Sequence, residues 1–209
     1  MKRFLEKLTG RPETNGAPME GAGRAIQKGP KENTDPNNIK ILIVSDNHMK
    51  TDGLEKVLAH HAEETDYFFH CGDSNLEHHH GLMQPFVTVK GNTDFKQKYQ
   101  HDEEVKLVND ERVWITHGHK FDVGRGVDGL LACAKRNQIH PAIILYGHTH
   151  MVDVQLIDGF LIINPGSIAL PRDGIRQTYA KLVVTPVAYH VTIFDVKDHS
   201  VIREFQFQK

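Results

Sequence analysis

At 209 residues the chain is long enough to bury one good-sized core and to fold as a single domain. Its 25 Lys and Arg nearly balance 27 Asp and Glu, and the formal charge of -2 provides no global basic field to make nucleic acid the main target. No stretch approaches the roughly 18 apolar residues of a membrane span, and the start lacks the apolar core of a cleavable signal. Cys71 and Cys133 form no paired framework, so a cytoplasmic protein with no membrane partner is expected.

Residues 1–37 differ in character from the rest. Met1–Leu8 has the pattern of two helical turns, but a Gly, Pro, Asn and Lys-rich stretch follows, ending in Asp35-Pro36-Asn37-Asn38. Such composition buries too little apolar surface to offset chain entropy, so it reads as a flexible extension before a domain at 38–209. The domain opens with a strand over 39–45. Leu54, Val57, Leu58 and Ala62 then mark one face of a helix over about 53–64. A strand at 67–70, a polar loop and a strand at 86–90 come next. A hairpin over 104–116 turns at Asn109-Asp110-Glu111, and Val127, Leu130, Leu131 and Ala134 mark a helix over 127–138. After a strand at 142–146, Asp158-Gly159 turns a second hairpin between Val152–Ile157 and Phe160–Ile163. Strands near 179–185, 187–195 and 200–207 close the chain. These are too many strands for one open sheet with so few helices, so two stacked sheets with helices outside are predicted.

Histidine is the compositional outlier, with 15 copies, and neutral imidazole is the commonest metal ligand. The apolar runs end in metal-ligand residue types. The first delivers Asp46-Asn47-His48, the second His70-Cys71-Gly72-Asp73, the third Gly91-Asn92, the fourth His117-Gly118-His119, and the fifth Gly147-His148-Thr149-His150. Five strands releasing such residues past their ends are expected to converge them on one edge of a sheet. Any one Asp or His after a strand is usually a cap or a loop residue; the ordered recurrence is what carries weight. Asp46, His48, Asp73, Asn92, His117, His148 and His150 form a mixed N and O set suited to Mn, Fe, Ni or Zn. Seven ligands exceed what one ion with an open position takes, so two ions sharing a carboxylate fit the count.

In order, Asp46-x-His48, Gly72-Asp73, Gly91-Asn92, His117 and Gly147-His148-x-His150 resemble the motifs of the calcineurin-like metallophosphoesterases. Cys71-Gly72-Asp73, Val89-Lys90-Gly91-Asn92-x-Asp94, Thr116-His117-Gly118-His119 and Asn164-Pro165-Gly166-Ser167 narrow the resemblance to the small single-domain phosphodiesterases, the YfcE/MJ0936-like branch. It spans about residues 39–207. The resemblance implies an α/β fold, a four-layer αββα sandwich of two mixed β-sheets flanked by helices. It further implies a binuclear centre of two divalent metal ions, Mn2+ first, with Ni2+, Zn2+, Fe2+ or Mg2+ as alternatives. Asp46, His48, Asp73 and His150 would hold one ion and Asp73, Asn92, His117 and His148 the other. A hydroxide bridging the two ions would attack a small phosphodiester substrate.

One position departs from the pattern of larger family members, which carry histidine immediately after the Asn. Here Thr93 stands there, and a hydroxyl is too weak an acid to protonate a leaving group near neutral pH. His119 or a metal-bound water is the candidate substitute, with His119 and Asn92 the candidate catalytic residues, and Asp94 reads either as an orienter of a ligand histidine or equally as a turn residue. Arg172 is a candidate phosphate contact. His78-His79-His80 reads as a solvated tract and Trp114 as core. The competing functions are a phosphomonoesterase and a non-catalytic scaffold of the same fold, as in the retromer's small subunit; a homo-oligomer is also open.

Overall fold

Alternation within β1 (Ile39–Val44) sets the layering of the molecule. Ile39, Ile41 and Ile43 point to one face and join a buried cluster, while Leu42 and Val44 point to the other and join a second. A strand buried on both faces lies inside a sheet covered on both sides. The computed structural model describes residues 34–136, 142–172, 174 and 176–209. Met1–Leu8 and most of the 1–37 extension fall outside these residues, as do 137 and 138 of the second expected helix. Residues 34–37 are tied to the domain: the Thr34 hydroxyl donates to Asp66 Oδ1 at 3.1 Å, and the Asn38 N–H donates to the Asp35 carbonyl at 3.0 Å.

The remaining elements are α1 (Asp52–His61), β2 (Tyr67–His70), β3 (Val87–Thr88), β4 (Asp102–Lys106), β5 (Arg112–Thr116), α2 (Asp128–Arg136), β6 (Ile143–Leu145), β7 (Val152–Ile157), β8 (Phe160–Pro165), β9 (Thr178–Val184), β10 (Ala188–Asp195) and β11 (Val201–Gln208). Six strands form one sheet in the order β11-β10-β9-β1-β2-β3, and five form the other in the order β4-β5-β6-β8-β7. β1, β2 and β3 run parallel, as do β5, β6 and β8; the other pairings are antiparallel. Both sheets are therefore mixed.

The inner faces meet over one core, in which Ile41 and Ile43 of the first sheet cluster with Val113, Ile115, Leu145 and Ile163 of the second. Leu54, Val57 and Leu58 of α1 cover the outer face of the first sheet against Leu42 and Val44. Leu130, Leu131 and Ala134 of α2 cover the second against Trp114, Ile144 and Ile162. This is the expected four-layer αββα sandwich. Each fully buried aliphatic side chain contributes about 1.5–3 kcal/mol of transfer free energy to hold the layers together. Trp114 packs as expected, under α2, where its indole N–H donates to Asp102 Oδ2 at 3.1 Å.

Two sequence expectations are corrected. The third strand is only two residues long: Val89 N–H still reaches the His70 carbonyl at 3.3 Å, but from there the chain pairs with Gln100. The ligand-bearing loops also do not leave one sheet. Three follow β1, β2 and β3 of the first sheet and two follow β5 and β6 of the second, so the site straddles the seam between the two sheets. α1 ends at His61, where the Thr65 hydroxyl caps the His61 carbonyl at 2.9 Å and the chain turns into β2.

Candidate metal centre

Past β1 the chain does not stop pairing. Asp46 N–H donates to the Gly72 carbonyl at 3.1 Å, His48 N–H to that of Asp73 at 3.0 Å, and Met49 N–H to that of Ser74 at 2.9 Å. The loops after β1 and β2 are thus zipped together. Asp46 has φ +56° and His48 φ +45°, both left-handed, so the strand geometry of β1 ends here and the chain turns within the loop. Asp73, His148 and His150 share that conformation, at φ +52°, +70° and +59°. Five non-glycine residues in the left-handed region cost about 1–2 kcal/mol each, and such strain clusters at functional sites.

Close backbone approach is required as well. A Cβ on Gly91 would lie 2.0 Å from Asp73 Oδ1, and one on Gly147 would lie 2.1 Å from Ser45 Oγ. Only glycine lets the loops after β3 and β6 come this near.

The seven predicted side chains meet at this seam. His150 Nε2 lies 3.2 Å from Asp46 Oδ1 and 3.3 Å from His48 Nε2. His117 Nε2 lies 3.1 Å from Asn92 Oδ1, 3.5 Å from Asp73 Oδ2 and 4.0 Å from Asp46 Oδ1. Asp73 Oδ2 is also 3.8 Å from His48 Nε2, so it stands between the two halves. His148 joins at the margin, its ring 5.2 Å from that of His117. Two groups have metal-site spacing: Asp46 with His48 and His150, and Asp46 with Asp73 and His117.

The outward-facing atoms of His117, His150, Asp46 and Asp73 are occupied. The Nδ1–H of His117 donates to the Cys71 carbonyl at 2.7 Å, and that of His150 to the Leu170 carbonyl at 2.6 Å. In its neutral form each ring then presents an unprotonated Nε2 inward. Asp46 Oδ2 accepts from Ser45 Oγ at 2.5 Å and from His148 N–H at 3.2 Å, and Asp73 Oδ1 accepts from Thr93 N–H at 2.8 Å. The inner oxygen, Asp46 Oδ1, is buried with no hydrogen-bond donor among the described residues. Lone pairs face lone pairs across about 3 Å, which is the arrangement a cation satisfies.

The electrostatics agree. Burial alone would push the Asp46 carboxyl up, but the facing His150 and nearby His117 outweigh it and hold it below the usual range. Burial likewise opposes ionisation of Asp73, yet His117 and the Thr93 N–H hold it well down. For His117 burial lowers the pKa, and Asp73 and Asp46 more than reverse that; for His150 Asp46 does the same. The seam draws positive charge.

His119 borders the cluster, its ring 5.4 Å from His117 and 6.1 Å from His148, with Nδ1 buried and unpartnered among the described residues. Burial, then the charges of His117 and His148, pull it down to about 4. Thr93 exchanges hydrogen bonds with Asn75, Oγ1 to Oδ1 at 3.3 Å and Nδ2 to Oγ1 at 3.1 Å. Asp94 does not orient a ligand histidine, as had been a candidate reading. It accepts from Asn75 N–H at 2.6 Å and Gly91 N–H at 2.9 Å, pinning the loops after β2 and β3 together. Backbone carbonyls hold the histidines instead. His78 and His79 are exposed with Glu77, and His80 Nδ1 caps a 3-10 turn at Leu82 N–H. Arg172 is exposed, its N–H donating to the His150 carbonyl at 3.1 Å.

The sequence marks the supports only as a tight-turn tetrapeptide, without their bonds. Ser167 Oγ donates to the Asp46 carbonyl at 2.8 Å and accepts from Leu170 N–H at 2.7 Å, while Asn164 Nδ2 donates to the Gly147 carbonyl at 2.8 Å. The Asn164-Pro165-Gly166-Ser167 turn therefore buckles the β1 and β6 loops, and the Leu170 carbonyl beyond it orients His150. Only that tetrapeptide signalled it.

Two mixed sheets between helices, with Asp and His donors gathered where strands of both sheets end, define a metallophosphoesterase-like fold. The chain belongs to the calcineurin-like phosphoesterase superfamily, whose domain matches residues 39–185. It is 33% identical over 157 residues to the probable metallophosphoesterase YsnB of Bacillus subtilis, covering 75% of this chain and 91% of that one. It is 26% identical over 167 residues to the phosphodiesterase MJ0936 of Methanocaldococcus jannaschii, covering 68% and 95%. A solved protein of Streptococcus pneumoniae, described as a predicted phosphoesterase, superposes with a TM-score of 0.75 at 31% identity, over 82% of this chain and 98% of that one. Among the described residues no helix is long and apolar enough to cross a membrane.

Proposed function

We propose that this chain is a metal-dependent hydrolase of small phosphodiesters. The observation that carries the reading is the inward set of acceptors without donors, Asp46 Oδ1 above all. Asp46, His48, Asp73 and His150 would hold one divalent ion and Asp73, Asn92, His117 and His148 a second. The N and O donor set suits Mn2+ first, with Ni2+, Zn2+, Fe2+ and Mg2+ as alternatives. When bound, the ions offset negative charge on the phosphoryl oxygens and lower the pKa of the attacking water.

The chain's own groups do the rest. Asn92 is exposed with Oδ1 turned to His117, which leaves its amide N–H2 to donate to a phosphoryl oxygen. His119 stands over the same edge and donates an imidazole N–H to the leaving oxygen or the phosphoryl group. Thr93 is tied to Asn75 and supplies no proton, which favours diesters over monoesters with poor leaving groups. Cavities of about 420 and 550 Å3 flank the site beside Met151 and Met49, and neither is lined by the seven donors. Residues 38–209 are proposed as the catalytic unit and 1–37 as an extension, working in the cytoplasm.

The test is hydrolysis of bis-p-nitrophenyl phosphate by metal-stripped protein with Mn2+, Ni2+, Mg2+ or Zn2+ restored, with Asp73→Ala and His117→Ala as controls. Metal-dependent turnover abolished in both variants supports the hydrolase. Tight metal binding with no turnover on this or natural diesters overturns it in favour of a scaffold.

A further inference from the structure

A second histidine cluster lies apart from the metal centre, where the last turn of α1 meets the β10–β11 turn. Donor atoms of His60, His61 and His199 all lie within 4.8 Å of one another. The hydrogen bonds assign their tautomers. Glu64 takes the Lys181 ammonium at 2.5 Å and, as a carboxylate, only accepts, so His61 Nδ1 carries the proton at 2.8 Å from it. His61 Nε2 is then unprotonated and accepts from the Tyr179 hydroxyl at 2.8 Å. With its own proton given away, the Tyr179 oxygen accepts from His199 Nδ1–H at 2.9 Å. His199 is left with a free lone pair on Nε2. A ligand imidazole is ordinarily prepared this way, its far N–H given to an oxygen that fixes the ring.

We propose that His199 Nε2 and His60 form a transition-metal site for Zn2+ or Cu2+, supported by His61 and Tyr179. His60 is exposed and makes no hydrogen bond among the described residues, so its nitrogens are available. Its ring is stacked on that of His199, with centroids 4.0 Å apart and planes within 5°. An ion sits in the plane of each imidazole at about 2.0–2.1 Å, so one ion cannot lie in both of two stacked planes. Capture therefore requires His60, the unrestrained ring, to swing out of the stack while His199 stays on Tyr179. Burial and the neighbouring His60 lower the pKa of His199, which keeps Nε2 unprotonated at neutral pH. Water completes the shell, and the ion staples α1 to the β10–β11 turn.

Equilibrium dialysis of the full chain against Zn2+ tests this, with His60→Gln and His199→Asn as variants; asparagine suits the φ of +59° at that position. Both variants should bind one ion fewer than the native chain, or bind it at least about tenfold more weakly, with bis-p-nitrophenyl phosphate turnover unchanged. In the native chain Zn2+ should shift the 15N resonance of His199 Nε2. Equal stoichiometry and affinity in all three proteins overturns the site, as does a loss confined to one variant. Because the readout is the difference between proteins, it stands whether or not the seam between the sheets proves catalytic.

Discussion

His150 Nε2 and Asp46 Oδ1 face each other at 3.2 Å, and when the imidazole is neutral neither atom has a proton to offer the other. The His150 N–H is spent on the Leu170 carbonyl, and the other Asp46 oxygen is already bonded to Ser45 and to the His148 N–H. With the neutral imidazole the contact is unfavourable, and either a proton on Nε2 or a metal cation between the two atoms makes it favourable. Four short consequences can be measured.

Asp46→Asn keeps the shape and removes the charge. Metal affinity should fall by about 100-fold or more, and metal-dependent turnover with it. Stability in EDTA should change by no more than about 1 kcal/mol, since the asparagine oxygen can keep the bonds from Ser45 and the His148 N–H while the oxygen that becomes an amide has no donor to lose. A large fall in Tm in EDTA would mean that Asp46 is chiefly structural.

Gly91→Ala places a methyl group 2.0 Å from Asp73 Oδ1. The β3 loop must retreat, at a cost of about 1–3 kcal/mol in stability. Metal content per chain after dialysis should drop together with Tm. Unaltered metal affinity would show that the loops are looser than this contact implies.

Ser167→Ala deletes the hydroxyl that bonds the Asp46 carbonyl at 2.8 Å and receives the Leu170 N–H at 2.7 Å. About 1–3 kcal/mol of stability should go with it. Because the same segment orients His150, metal affinity should weaken about 10–100-fold although no donor to the metal has been touched. Titration calorimetry with Mn2+ on the folded variant separates the two effects.

Acid should weaken the packing of α1 in two windows. Burial holds His61 below its ordinary 6.5, so the unfolded chain takes up the proton first and stability falls as pH drops below that value. Burial would raise Glu64, but Lys181 and His61 outweigh it and bring it from 4.5 to about 2, so its contribution is full above 4.5 and is lost toward 2. His117 and His150 are raised and act with opposite sign near neutrality. The informative quantity is the difference in Tm between the native chain and His61→Gln, measured in EDTA from pH 7.5 to about 5. It should shrink as pH falls; a difference independent of pH would contradict the assignment.

Much of the fold was legible because local chemistry and burial agree. The alternation of Ile41, Leu42 and Ile43 serves two cores at once, and Asp158-Gly159 takes left-handed φ at both positions, +53° and +84°, as a tight hairpin turn requires. The third strand was overestimated because Phe86 and Val89 lengthen the apolar run, while the pairing of Val89 and Lys90 depends on where Gln100 lies. Asp94 stayed ambiguous in the sequence for a related reason. A buried aspartate after a turn looks the same in sequence whether it holds an imidazole or two backbone N–H groups.

By itself the sequence determined the layers, through periodicity, and singled out the seven candidate donors, through residue types recurring after apolar runs. Local preference suffices for such features, since each depends on neighbours within a few residues. Only the tertiary structure decided that the donors come from two sheets rather than one, that five residues adopt left-handed backbone, and that Cys71 and Leu170 carbonyls fix which imidazole nitrogen faces inward. The same holds for the stack of His60 on His199, residues 139 positions apart. Those features depend on contacts between distant segments, and the energy that maintains the strained loops comes from the closed core rather than from the residues that bear the strain.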